Sequence, residues 1–224
     1  MSFTVTDATG TAGWAGRGAA GGDPDLPLVD LARAGDQGAF ERLVLSHQRR
    51  VFNVVYRILG DYEEARDLTQ ETFIQAHRSL GAFRAEARFG NWLLAIAVNQ
   101  SRNRLKHWKR RAHSRHDSLS DPVGDEDSGL QRQLPDAAPT ALEQLESRQL
   151  EGLVREEMGR LDEEYRTVLV LRELQDVAYE QIAQILDVPV GTVKSRLHRG
   201  RTELRERLRR RLAAGRECDD GGTR

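Results

Sequence analysis

The chain has 224 residues, 38% hydrophobic and 31% charged, and its 34 Lys and Arg against 35 Asp and Glu leave a net charge of −1. That length suits one mid-sized domain or two small ones, and so low an apolar share favours two small helical units over one large core. A single cysteine, Cys218, excludes a disulfide framework and a cysteine-based zinc site. No apolar stretch approaches the ~20 residues needed to cross a bilayer, and the N-terminus lacks a basic region followed by an apolar one. The expectation is a soluble cytoplasmic protein without membrane insertion.

The near-zero net charge hides a strong segregation of charge along the chain. Residues 1–27 are rich in Gly, Ala, Thr and Asp, include Gly21-Gly22 and Pro24, and show no apolar period. They read as a flexible leader, with Trp14 an isolated exposed aromatic. Residues 28–111 form the first predicted helical unit. Phe40, Leu43, Val44, Val51, Val54, Val55 and Ile58 recur at helical spacing, and Gly60 ends that helix. Asp61 reads as the next N-cap, with Glu64 completing a capping box. The helix it opens carries Ala65, Leu68, Phe73, Ile74 and Ala76 and stops near Gly81. A short loop to Gly90 precedes a helix with Trp92, Leu93, Ile96, Ala97 and Leu105, which runs into Lys106-His107-Trp108-Lys109-Arg110-Arg111.

Residues 112–139 change character. Asp117, Asp121, Asp125, Glu126, Asp127 and Asp136 stand beside Pro122, Pro135 and Pro139, which reads as a flexible acidic linker. The second unit, residues 140–212, opens with Leu142, Leu145, Leu150, Leu153, Val154, Met158 and Leu161 at helical spacing. Asp162 is a predicted N-cap for a helix with Tyr165, Val168, Leu169 and Leu171. Val168 to Leu171 has some strand character, but flanking Glu, Arg and Leu favour helix. Tyr179 to Leu186, a break at Asp187-Val188-Pro189, and a helix from Val190 to about Leu212 follow. Residues 213–224 are a tail. The fold class is all-α: two small helical domains joined by a flexible acidic linker.

The sharpest signal lies between Tyr179 and Arg199. A short helix presents Ile182, Ala183 and Leu186 on one face, a tight turn follows, and the next helix turns Val193 and Leu197 inward at i and i+4. Ala183 is small where two helices must cross closely. This is the logic of a helix-turn-helix, whose second helix enters the major groove. Its outward face carries Thr192, Lys194, Ser195, Arg196, His198 and Arg199. Such groups reach guanine acceptors and phosphate oxygens. Arg201, Arg205, Arg207, Arg209, Arg210 and Arg211 continue the positive charge, opposed by Glu203 and Glu206.

The first unit holds a second candidate. Phe83, Arg84, Glu86, Arg88, Phe89, Asn91 and Trp92 put aromatics and cations together in and beside a loop, and Asn99, Arg102 and Asn103 follow on the next helix. Rings interleaved with cations suit unpaired bases, which stack while their phosphates are neutralised; a loop can also enclose one extruded base. Trp92, followed by Leu93 and Ile96, reads as core. On the preceding helix Asp67, Gln70 and Glu71 share one face, which suits a protein partner better than nucleic acid.

With both patterns on one chain, the sequence resembles a bacterial sigma factor of the sigma-70 family, in its extracytoplasmic-function subgroup. The run Ala65-Arg66-Asp67-Leu68-Thr69-Gln70-Glu71-Thr72-Phe73 is similar to the part of region 2 that docks on core RNA polymerase. Residues 83–111 resemble the part that opens and reads the −10 element, and residues 161–208 resemble region 4, which reads the −35 element. The resemblance implies that Asp67, Gln70 and Glu71 contact the clamp helices of the polymerase. It implies that Phe83, Arg84, Glu86, Arg88, Phe89 and Asn91 hold the displaced strand, with Asn99, Arg102 and Asn103 near −10 DNA. Thr192, Lys194, Ser195, Arg196 and Arg199 would face the −35 groove, and the linker would run toward the RNA exit path. Gly90-Asn91 stand where the family often has Ser-Thr, and Leu94-Ala95 where it often has Tyr-Arg.

The implied function is an alternative sigma factor, not an enzyme, that binds core polymerase through clamp and flap, recognises both promoter elements and promotes melting. Linked through the polymerase, two weak DNA contacts act as one bivalent reader. Expected partners are core polymerase, duplex and single-stranded promoter DNA, and a cognate anti-sigma factor; the free chain is expected to be a monomer. No cofactor or metal is expected, since His47, His77, His107, His113, His116 and His198 lack ligand spacing. A conventional helix-turn-helix regulator would need a receiver or ligand-binding half, and the first unit shows no alternation of strands and helices. An adaptor that binds polymerase without DNA leaves the basic residues of both units without a role. Cys218 reads as an inert tail thiol. The promoter sequence and the inducing signal are not legible.

Overall fold

A computed structural model describes residues 22–114 and 141–220, with side chains described to 111 in the first run and from 150 to 213 in the second. The helices are α1 (Leu26–Arg33), α2 (Gln37–Leu59), α3 (Tyr62–Ser79), α4 (Phe89–Ser114), α5 (Ala141–Gly159), α6 (Glu163–Leu169), α7 (Tyr179–Leu186) and α8 (Val190–Asp220). A 3₁₀ turn, Leu80–Ala82, follows α3, and a π-helical turn, Val170–Leu174, follows α6. No strand occurs among the described residues, and Val168 to Leu171 is helical. The expected acidic linker and Trp14 lie outside the described residues.

Several helix ends follow from single side chains. Asp36 accepts a hydrogen bond from Ala39 N at 3.0 Å and opens α2. Gly60, at φ 80°, closes it in the left-handed region that glycine enters without strain. Asp61 accepts from Glu64 N at 2.8 Å, the expected cap of α3. Asp162 makes no such bond, so its expected capping role is corrected; Glu163 and Glu164 instead put negative charge in the first turn of α6, where the helix dipole favours it. Two boundaries also move. Asp23 is buried and α1 begins at Leu26, so the leader is packed before residue 27. The last helix runs to Asp220, past Leu212. Glu203 and Arg207 (2.7 Å) and Arg211 with Glu156 on α5 (2.9 Å) pair along it.

The first unit, α1–α4, closes around Val29, Leu43, Val51, Val55, Leu68, Phe73, Phe83, Phe89, Trp92, Leu93 and Ala97. The second core joins both halves of the chain. Val54 and Ile58 of α2 and Leu94 and Val98 of α4 pack with Leu161, Val168, Leu171, Val177, Ile182, Leu186, Val193 and Leu197. Thus Leu94, where the family often has tyrosine, is part of the contact between units. Polar ties reinforce it. Arg166 donates from Nη1 to Ile58 O at 2.7 Å and from Nη2 to Leu161 O at 2.9 Å. Arg50 Nε donates to Gln175 Oε1 at 2.8 Å. Burial pulls both guanidinium groups below the ordinary arginine range, opposed by Glu163 and Asp162 at Arg166 and by Asp25 at Arg50.

Gly200 looks like a weak point of α8, where alanine has the better helix propensity. A Cβ there would lie 3.1 Å from both Tyr165 Cβ and Leu169 Cδ1. The glycine lets α8 and α6 cross closely.

Candidate nucleic-acid and polymerase interfaces

The helix-turn-helix is assembled by burial. Ile182, Ala183 and Leu186 of α7 are buried, as are Val193 and Leu197 of α8. Asp187 takes φ 52° at the turn, and Val188 N donates back to Ala183 O at 3.0 Å. Asp tolerates this left-handed geometry better than most residues. Pro189 O then accepts from Thr192 N at 2.9 Å and from Val193 N at 3.2 Å, which opens α8. With Val193 and Leu197 fixed inward, Lys194, Ser195, His198 and Arg199 are exposed, and Thr192 and Arg196 are half-buried. Arg196 Nη2 lies 2.8 Å from Glu164 Oε2 on α6.

The loop before α4 divides in two. Phe83, Phe89 and Trp92 form a cluster of rings, with centroids 5.8 Å apart for Phe83–Phe89 and 5.2 Å for Phe83–Trp92. Phe83, Phe89 and Asn91 are buried. These three therefore do not present their side chains to a strand in this arrangement; the two rings brace the loop from beneath. Arg84, Glu86 and Arg88 are exposed. The guanidinium of Arg33 sits 5.6 Å over the Phe83 ring while its Nε donates to Leu80 O at 3.0 Å. On α4, Asn103 is exposed and Asn99 and Arg102 are half-buried. Arg102 Nε is 3.4 Å from Glu163 Oε1, and Lys109 Nζ is 3.8 Å from the other oxygen of that carboxylate.

Asp67, Gln70 and Glu71 are exposed together on α3. Glu71 and Glu64 share Arg104, whose Nη1 donates to Glu64 Oε2 at 2.6 Å and whose Nη2 donates to Glu71 Oε1 at 3.1 Å. Gln70 borders an open groove of about 550 Å³ between α2 and α3, floored by Phe40, Val44, Phe73 and Ile74. Ile74 is 45% exposed there although periodicity put it with the core face. An apolar floor with a polar rim is the anatomy of a candidate protein-docking surface. Glu163 and Glu164, which counter the cations of both candidate DNA surfaces, were not singled out from sequence. Their only sequence signal is acidity in the first turn of a helix. Among the described residues no cluster of ligands could hold a metal, and no helix is long and apolar enough to cross a membrane.

A helix-turn-helix with an open basic face, joined to a helical unit with its own cations and an open groove, defines a two-module DNA-binding protein. The comparisons with known proteins sharpen this. The family model for Sigma-70 region 2 matches residues 43–112, and that for Sigma-70, region 4 matches residues 151–204. The RNA polymerase sigma-H factor of Pseudomonas aeruginosa is 34% identical over 186 residues, 83% of this chain and 94% of that protein. The ECF RNA polymerase sigma factor SigW of Bacillus subtilis is 33% identical over 187 residues, 81% of this chain and 95% of that protein. Among solved structures, CnrH in complex with the cytosolic domain of CnrY aligns with TM-score 0.58 at 23% identity, over 82% of this chain and 96% of that one. The sigma factor RpoE in complex with the anti-sigma factor NepR from Bartonella quintana aligns with TM-score 0.56 at 21% identity, over 76% and 96%. The chain belongs to the sigma-70 family, in its extracytoplasmic-function (ECF) subgroup.

Proposed function

We propose that this chain is an alternative sigma factor in which the three surfaces described above divide the work. Asp67, Gln70 and Glu71, with the groove floored by Phe73 and Ile74, receive the clamp helices of core RNA polymerase. Arg84, Glu86 and Arg88 capture the displaced strand at the −10 element, braced by Phe83 and Phe89; Asn99, Arg102 and Asn103 line its approach. Thr192, Lys194, Ser195, Arg196 and Arg199 read the −35 duplex. The observation that carries the reading is the inward lock of Val193 and Leu197, which leaves Lys194, Ser195 and Arg199 facing outward.

The mechanism needs no chemistry from this chain, which is not an enzyme. Groove contacts fix the register on duplex DNA. Capture of unstacked bases by the loop draws the equilibrium toward the open promoter. Phosphodiester synthesis belongs to the polymerase. The chain works in the cytoplasm, where the flap of the polymerase joins the clamp as a contact. A cognate anti-sigma factor restrains it, by analogy with the complex of RpoE and the anti-sigma factor NepR.

The test is capture of bacterial core RNA polymerase followed by run-off transcription on a randomised promoter library. We expect initiation from templates that share a −35/−10 pair. Loss of each bidentate contact costs about 1–3 kcal/mol of base discrimination, so the Arg196→Ala, Arg199→Ala double variant should lose the −35 preference while it still binds core. Duplex binding by the free protein with no affinity for core would point to an ordinary helix-turn-helix regulator.

A further inference from the structure

We propose that Asp23 is a positioning residue for strand capture: its carboxylate closes the N-terminus of α4 and fixes the loop that carries Arg84, Glu86 and Arg88. This rests on the role given to that loop above. Asp23 belongs to a segment that composition marks as leader, yet it is only 8% exposed. Its Oδ2 accepts from Phe89 N at 2.5 Å, a contact that spans 66 residues, and its Oδ1 accepts from Asp25 N at 3.1 Å.

The bond answers a specific need. The first N–H groups of a helix have no partner within it. At the start of α4, Asn91 N and Trp92 N turn back to Arg88 O. Phe89 N is supplied from outside by a carboxylate, and negative charge at that end also suits the helix dipole. The strap is anchored in turn. Asp25 Oδ2 lies 2.8 Å from His47 Nε2 on α2, and the His47 ring meets Phe89 edge-on at 5.5 Å. Gly90 lies so close to α2 that a Cβ would come within 3.0 Å of His47 and 3.1 Å of Arg50. Residues 23–25 and α2 therefore both hold the first turn of α4.

The loop needs that grip. Ala85 has φ 54°, a left-handed conformation that a residue with a Cβ keeps only when its surroundings dictate it. Phe83 under Arg33 pins one end of the loop, and Phe89 held by Asp23 pins the other. A loop fixed before the strand arrives loses less entropy on binding it.

The experiment compares Asp23→Ala with Asp23→Asn and Asp23→Ser in the full chain, since Asn and Ser also accept at helix starts. In the free protein, amide hydrogen exchange over residues 83–91 should rise about tenfold in the Ala variant and return toward wild type in the other two, with α2 and α3 unchanged. With core polymerase, permanganate reactivity on a promoter recovered from the library should fall by about the same factor in the Ala variant alone, with holoenzyme assembly unaffected. Three results overturn the proposal: unchanged exchange in Asp23→Ala, an Asn variant as defective in opening as the Ala variant, or assembly that falls in step with opening. If the wild-type chain opens no promoter, the reading of the loop fails too; a normal wild type with an indifferent Asp23→Ala sinks this inference alone.

Discussion

The two units of this chain are built on different principles. The core of α1–α4 contains Phe73, Phe83, Phe89 and Trp92, each no more than 8% exposed, and every residue of that core comes from the same unit. The core of α5–α8 has no buried aromatic among its described residues, and it is completed by Val54, Ile58, Leu94 and Val98 of the first unit. A ring buries ~150–250 Å², so a few of them let a small unit close on itself. An aliphatic unit of similar size lacks that area and borrows a wall. The first unit is self-sufficient; the second leans on it.

Three substitutions test this asymmetry, read by hydrogen exchange over peptides of each unit during denaturant unfolding. Phe89→Ala removes the ring at the centre of the first core and should cost about 3–5 kcal/mol; both units should lose protection together, since the second stands on the first. Leu94→Ala takes a fully buried side chain from the shared face and should cost about 3 kcal/mol, with the second unit losing protection before the first. Equal loss in both units would contradict the asymmetry. Gly200→Ala forces a methyl against Tyr165 Cβ, which cannot retreat without its backbone; overpacking outweighs the better helix propensity by about 1 kcal/mol. That smallest effect should stay within the second unit, and a matching shift in the first would mean that the dependence runs both ways.

What the sequence revealed was what acts over a few residues. The Asp61 cap, the Gly60 stop and the turn at Asp187 depend on neighbours three or four positions away and were legible. The inward Val193 and Leu197 followed from helical spacing. Phe83 and Phe89 were read as facing a strand because a loop has no period to assign a side chain to a face; only their packing against Trp92 and Arg33 decides it. Asp23 was missed because its partner lies far along the chain. The junction between units did leave a trace: Trp92 to Val98 is apolar without a break, the mark of a helix covered on more than one side. Helix propensity alone would count Gly200 a flaw, because the crossing with α6 is invisible in one dimension.

The neighbouring carboxylates of Glu163 and Glu164 bear on how DNA binding should depend on salt. They already pair with Arg102 and Arg196, one cation from each proposed DNA surface. The usual linkage between affinity and ionic strength arises because each phosphate met by a cation sets free condensed ions, with a slope of about 0.9 per contact on logarithmic axes. An arginine that exchanges a carboxylate for a phosphate leaves that carboxylate to gather cations from solution, which cancels part of the release. If the proposed DNA surfaces are the ones used, the measured slope therefore counts fewer contacts than the DNA makes, and titration with salt undercounts the arginines involved.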